Sequence, residues 1–134
     1  MPQISVRFRN IEDTEAALGW SGPRSLVADR PEGKAGGLGL GFNGGELLAL
    51  AIGGCFCNDL QYVAHDMGVR LTSIAVEVSL DLDGDPLLVT GATLSVEAEG
   101  EGDVDAVIAR AKADSTVSNS VARGFAVTLA GNSA

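Results

Sequence analysis

Apolar and polar residues alternate along several stretches of the chain and give way to a helical period in others. Ile4, Val6 and Phe8 alternate with Ser5, Arg7 and Arg9, the pattern of a half-buried first strand. Short strands are predicted at 16–20 and 25–28, parted by the turn Ser21-Gly-Pro-Arg24. From Arg30 to Gly41 glycine and proline dominate, which predicts a loop. Between 71 and 82 Ile74, Val76, Val78 and Leu80 repeat every second residue, and Leu94 and Val96 do so between 88 and 98. Asp83-Gly-Asp-Pro86 joins these two strands as a hairpin turn. Phe125 to Leu129 alternates again and predicts a last strand.

The helical stretches carry their own start and stop signals. Asn43-Gly-Gly-Glu46 has the form of a capping box, an N-cap side chain followed three residues later by Glu, directly before an apolar run. Leu60, Val63, Ala64 and Met67 then fall at i, i+3, i+4 and i+7, and Gly68 ends the helix. At about 1.5 Å per residue, roughly 24 residues reach ~36 Å, more than the diameter of a small domain. The first half is apolar on every face, so it needs cover on all sides, and a partner subunit is the natural cover. A second helix is predicted over 103–113, with Val104, Val107, Ile108 and Ala111 on one stripe. Asp114 or Ser115 can cap a short third helix, 116–122, which stops at Gly124. The predicted order is β-β-β-α-β-β-α-α-β, an α+β layout forming a single domain over 1–134.

Length supports this, because a domain of about this size buries roughly 68% of the surface its unfolded chain exposes. Hydrophobic residues make up 46% and aromatics only 4%, so the core is aliphatic, as suits a helix packed on a sheet. A net charge of −9 and a pI near 4.3 repel polyanions, and the basic residues are scattered, so nucleic-acid binding is disfavoured. The run Leu47 to Cys57 is far short of the ~20 residues a membrane helix needs, which reads as a buried core helix with no membrane partner. No charged segment followed by an apolar one opens the chain, and a cytoplasmic location is expected. There the two cysteines stay reduced.

Several motifs dissolve under their physical requirements. Gly39-Leu-Gly-Phe-Asn-Gly44 matches G-x-G-x-x-G, but a loop precedes it, and Asp59 and Asp66, the acids near the ribose-binding distance, belong to the same helix. Asp81-Leu-Asp-Gly-Asp85 lacks the glycine and glutamate spacing of a calcium loop and reads as a turn. His65, the single histidine, has neither a serine nor a second ligand at useful spacing and is expected to be solvated. No cofactor and no metal are expected. Cys55 and Cys57 are about 200° apart around a helix, so they cannot act as a pair. Cys57 shares its face with Gly53, Leu60 and Ala64, a packing environment. Cys55 shares its face with Leu48, Ile52, Asn58, Asp59 and Tyr62, a stripe that turns polar just beyond the thiol. Of the two, Cys55 is the reactive candidate, against the plainer reading of two inert core thiols.

The span 37–60 resembles the OsmC/Ohr family of osmotically inducible and organic-hydroperoxide-resistance proteins, whose helix motif reads G-T-N-P-E-[EQ]-L followed by A-C-F. Here it stands as Gly41-Phe-Asn-Gly-Gly-Glu-Leu47 and Gly54-Cys-Phe56, and Ser115-Thr-Val-Ser-Asn119 resembles that family's C-P-V-S-N. Length, element order and the strand entry at Gly68-Val-Arg-Leu-Thr72 also fit. The resemblance implies an intertwined homodimer with two central helices wrapped by sheets, and a peroxidatic role for Cys55. It implies a thiolate that attacks the peroxide O–O bond and becomes a sulfenic acid, which a second cysteine resolves. An ordinary thiol is only about 3% thiolate near pH 7, so a nearby cation is needed. The family supplies an arginine from its N-terminal strands, oriented by a glutamate; Arg24 is the first candidate here and Arg30 the second. Two departures stand out. Ser115 occupies the resolving cysteine's position, where it serves as a helix cap. The family's glutamate falls on Gly45, one before Glu46, which the capping box already uses and which lies about 13 Å from Cys55 along the helix, on the opposite face. Glu46 could reach a thiol only in the partner chain. The expected partners are therefore a small hydroperoxide and an external thiol reductant. The rival reading is a non-catalytic dimer that binds a small apolar ligand at its interface.

Overall fold

A computed structural model describes residues 1–131. Its elements are β1 (Arg7–Asn10), β2 (Ala17–Ser21), β3 (Arg24–Ala28), α1 (Gly44–Met67), β4 (Arg70–Asp83), β5 (Leu88–Glu101), α2 (Val104–Asp114) and α3 (Thr116–Arg123). This is the α+β order expected, without its final strand. Two compact units divide the chain, Met1–Leu48 and Ala49–Ala134.

The first unit is an antiparallel meander, β1-β2-β3. Gly22 (φ 57°) followed by Pro23 turns β2 into β3, the residue order that a type II′ hairpin demands. Phe8 faces Gly19 across the β1–β2 ladder, and its ring occupies the space a Cβ at that glycine would need. The loop after β3 folds back so that Phe42 N–H donates to Val27 O at 2.9 Å and Asp29 N–H to Phe42 O at 3.0 Å. Inside that loop the buried Asp29 carboxylate accepts from the backbone N–H groups of Leu38 (3.1 Å) and Leu40 (3.0 Å) through Oδ2, and of Arg30 (2.8 Å) through Oδ1.

Burial in this unit corrects the sequence expectation. The strand begins at Arg7 rather than Ile4, and it is exposed along its whole length. Ile4 is 90% exposed, and among the described apolar residues of the unit only Ala16 is buried. Alternation specifies which side chains share a face, and here nothing within the unit covers that face.

The second unit has a core. Its helix α1 starts at the end of the first unit, where a capping box has Glu46 N–H donating to Asn43 Oδ1 (2.9 Å) and Asn43 N–H to Glu46 Oε1 (3.0 Å). Gly68, at φ 68°, closes the helix in a Schellman motif, in which Val69 N–H donates to Ala64 O at 2.8 Å and Gly68 N–H to His65 O at 3.4 Å. Phe56, Leu60, Val63 and Ala64 of α1 pack with Val107 and Ala111 of α2. Each fully buried large aliphatic or aromatic side chain contributes about 1.5–3 kcal/mol. Beneath them β4 and β5 pair antiparallel, with Val76 opposite Val96 and Val78 opposite Leu94. A Cβ on Gly53 would lie 3.0 Å from Val78 Cγ2, so the glycine lets α1 approach the strand closely. Asp103 caps α2 by accepting from Ala106 N–H at 3.1 Å.

Two apolar surfaces of this unit stay open. Leu50, in the apolar half of α1, is 51% exposed. The strand predicted at 125–129 does not form, and Phe125 and Val127 stand 65% and 88% exposed. A strand needs a neighbour's N–H and C=O groups, and among the described residues none pairs with this segment. At 24 residues α1 is long and apolar enough to cross a membrane, a test that a core helix also passes. It buries Ile52, Phe56, Leu60, Val63 and Ala64 against protein.

Candidate functional site

Cys55 and Cys57 are both half-buried and unbridged. The Cys55 thiol donates to Asp59 Oδ2 at 3.5 Å, one helical turn on. The polar stripe anticipated beyond Cys55 continues through Tyr62 to Asp66. Opposite it runs α2, whose Arg110 Nη2 lies 2.6 Å from Asp66 Oδ2 and whose Arg110 Nε lies 3.5 Å from Asp114 Oδ2. Asp66 holds the Arg110 guanidinium above its ordinary value, first through that hydrogen bond and then through its charge. Asp59, Tyr62, Asp66, Arg110 and Asp114 line a hollow of about 360 Å³. Arg110 sits beside Asp66, and Asp114, one turn later in α2, shares the hollow with Asp59.

Ser115 follows directly and is fully buried. It occupies the N-cap position of α3 but makes no side-chain cap bond, which corrects the expected capping role. Its Oγ has no hydrogen-bond partner among the described residues, nor has the buried Oγ of Ser118. Burial of the hydroxyl in place of contact with the first-turn N–H groups leaves α3 capped by backbone placement alone. His65 is exposed in the last turn of α1, as expected. Among the described residues no group of three or more His, Cys, Asp and Glu side chains could hold a metal ion.

The other candidates belong to the first unit. Glu46 is exposed and engaged in the capping box. Arg30 Nη2 lies 3.2 Å from Asp29 Oδ1 and also donates to Glu15 O. These contacts hold Arg30 in the loop, whereas the exposed Arg24 side chain makes no hydrogen bond or ion pair with the described residues. Arg24 lines a hollow of about 320 Å³ together with Val6, Phe8, Trp20 and Leu26. Asp29 escaped the sequence reading, because the local turn chemistry of an Asp reaches about two residues on, whereas Leu38 and Leu40 lie nine and eleven residues away.

The two-stranded antiparallel sheet under a long central helix, with a thiol midway along that helix, defines an α+β class of small cysteine-bearing proteins. A family model of OsmC-like proteins matches residues 35–130, and the chain belongs to that family. Comparison with curated proteins gives no match. Among solved structures, the fold is similar to an OsmC-like protein of Mycoplasma pneumoniae, with TM-score 0.75 at 14% identity over 90% of this chain and 88% of that one. It is also similar to an OsmC-like protein of Vibrio cholerae, with TM-score 0.75 at 14% identity over 90% and 94%. An organic hydroperoxide resistance protein, OsmC, of Legionella pneumophila matches with TM-score 0.62 at 18% identity over 90% of each chain.

Proposed function

We propose that the protein is a homodimeric, thiol-dependent hydroperoxide reductase that works with Cys55 as its one peroxidatic cysteine. The observation that carries this reading is the position of Cys55 in the family's helix motif, half-buried and hydrogen-bonded at the start of a polar stripe. The sulfur attacks the terminal oxygen of a hydroperoxide, the O–O bond breaks, and Cys55 becomes a sulfenic acid while the peroxide leaves as an alcohol. Ser115 cannot form a disulfide and Cys57 points away, so a small external thiol attacks the sulfenic acid. A mixed disulfide forms with loss of water, and a second thiol releases Cys55. Arg24 is the better cation candidate, because Arg30 is already held by Asp29 and Glu15. The open faces at Ile4, Leu50 and Phe125 support the dimer, in which Arg24 and Glu46 of one chain serve the thiol of the other. A cytoplasmic setting would supply the reductant.

Peroxide consumption tests this with added dithiothreitol as reductant. Wild-type protein and Cys57→Ser should turn over, and Cys55→Ser should not; after brief peroxide exposure, mass spectrometry should find oxidation at Cys55. Preferential oxidation of Cys57, or turnover by Cys55→Ser, would reject the assignment. The apolar hollow beside Arg24 favours a second reading, a binder of small apolar ligands. An environment-sensitive fluorophore that binds protein lacking any peroxide turnover would support it.

A further inference from the structure

A thiol that reduces a hydroperoxide must lose a proton, and the departing alkoxide must gain one. The structure shows what stands between these events. The Cys55 thiol donates to Asp59 Oδ2, which lies 3.5 Å from Sγ. Asp59 is half-buried and also lines the hollow opening beside Tyr62. The charged and titratable groups facing it there are Tyr62 and Asp66 from α1, and Arg110 and Asp114 from α2. The Arg110 guanidinium is engaged by Asp66 and Asp114. On the sheet side β4 and β5 contribute aliphatic side chains to the core, among them Val76 and Val96. Asp59 is therefore the carboxylate in this hollow with no cation bonded to it among the described residues, and the one that touches the reacting sulfur.

We infer that Asp59 is a catalytic residue that takes the Cys55 proton and returns it to the leaving oxygen. The inference rests on Cys55 being peroxidatic. As sulfur attacks the terminal oxygen of R–O–O–H, its proton passes to Asp59, an S–O bond forms and the O–O bond breaks. The terminal oxygen keeps its hydrogen and becomes the sulfenic hydroxyl, and R–O⁻ takes the proton from Asp59 to leave as R–OH. Sulfur is oxidised by two electrons, the peroxide is reduced by two, and Asp59 ends as it began.

The dependence on a proton donor should follow the leaving group. An alkyl hydroperoxide expels a strongly basic alkoxide and needs the proton, whereas a peracid expels a stable carboxylate and does not. The test is the rate of Cys55 oxidation by tert-butyl hydroperoxide and by peracetic acid, in wild-type protein, Asp59→Asn and Asp59→Glu. Asp59→Asn should lose about 100-fold with the alkyl hydroperoxide and stay within about threefold with the peracid, the loss expected when a general acid is removed. Asp59→Glu should recover part of the first rate, and if the asparagine variant does not fold, the glutamate variant must show the same selective loss in milder form. Equal losses with both oxidants would reduce Asp59 to a support for the thiol, and no loss with either would remove it from the chemistry; both overturn the inference. Wild-type protein in which neither oxidant modifies Cys55 would instead reject the peroxidase reading beneath it.

Discussion

Asn43 and Glu46 each bond through the side chain to the other's backbone N–H, at 2.9 and 3.0 Å, and so hold the entry to α1. Asn43→Ala should cost about 1 kcal/mol of stability, within the 0.5–2 kcal/mol typical of lost N-caps, measured as a lower urea midpoint at unchanged slope. Glu46→Gln keeps the acceptor and should unfold like wild type. A stable Glu46→Gln protein that has lost peroxide turnover would reveal a role for the carboxylate beyond capping.

Ser115→Ala should leave the protein as stable as before or more so. An unpartnered buried hydroxyl carries a desolvation penalty of about 1–3 kcal/mol, and the alanine removes it with little loss of volume. Urea titration reads the outcome, and a clear destabilisation would mean that the hydroxyl is bonded in solution.

Ser115→Cys should create a resolving thiol. Ser115 stands where the family's C-P-V-S-N motif carries its cysteine, and it directly follows Asp114, which shares a hollow with Asp59, the residue bonded to Cys55. Mild oxidant should then give an intramolecular disulfide, seen as a loss of two mass units and of free-thiol titre. Wild-type protein should instead over-oxidise under excess peroxide. A folded variant that forms no bond to Cys55 would refute this register.

Asp29 predicts an acid-sensitive loop. The Leu40 N–H, against the opposing effect of burial and together with the Arg30 and Leu38 N–H groups and the Arg30 charge, holds its carboxyl below the ordinary 3.8. A carboxyl with a folded value lower than its unfolded one stabilises above the unfolded value, and that contribution is lost as pH falls through the folded one. Asp29→Asn should therefore be the less stable protein near neutrality, with the gap closing below about pH 4. Parallel urea midpoints across that range check the sign; a gap that widens in acid would contradict it.

The apolar faces left open predict association. Sedimentation at micromolar concentration should find a dimer, and each tenfold dilution should lower its apparent stability by about 1.4 kcal/mol. A well-folded monomer whose unfolding midpoint ignores concentration would exclude it.

What could be read from the chain depended on how local the signal was. Both ends of α1 were legible, since Asn43, Glu46 and Gly68 act within a turn of the helix. The β4–β5 hairpin was legible from its alternation and its turn. Alternation around Phe8 and Phe125 named the residues of a face but not its cover, so one strand proved exposed and the other did not form. Ser115 is a good N-cap type at an N-cap position, yet its hydroxyl is buried, and that outcome depends on packing rather than on sequence neighbours. No short-range pattern ties Asp29 to N–H groups nine and eleven residues away. At the candidate site, the stripe from Cys55 through Asp59 and Tyr62 followed from helical spacing, whereas Arg110 and Asp114 come from another helix and needed the fold.

The first unit buries one apolar side chain, Ala16, and otherwise holds together through strand pairing and the bonds around Asp29. Pairing among its strands completes itself locally, but its open apolar face can settle only against a surface that the unit does not contain. The interval before that surface is met is when an exposed β-edge is most open to wrong partners.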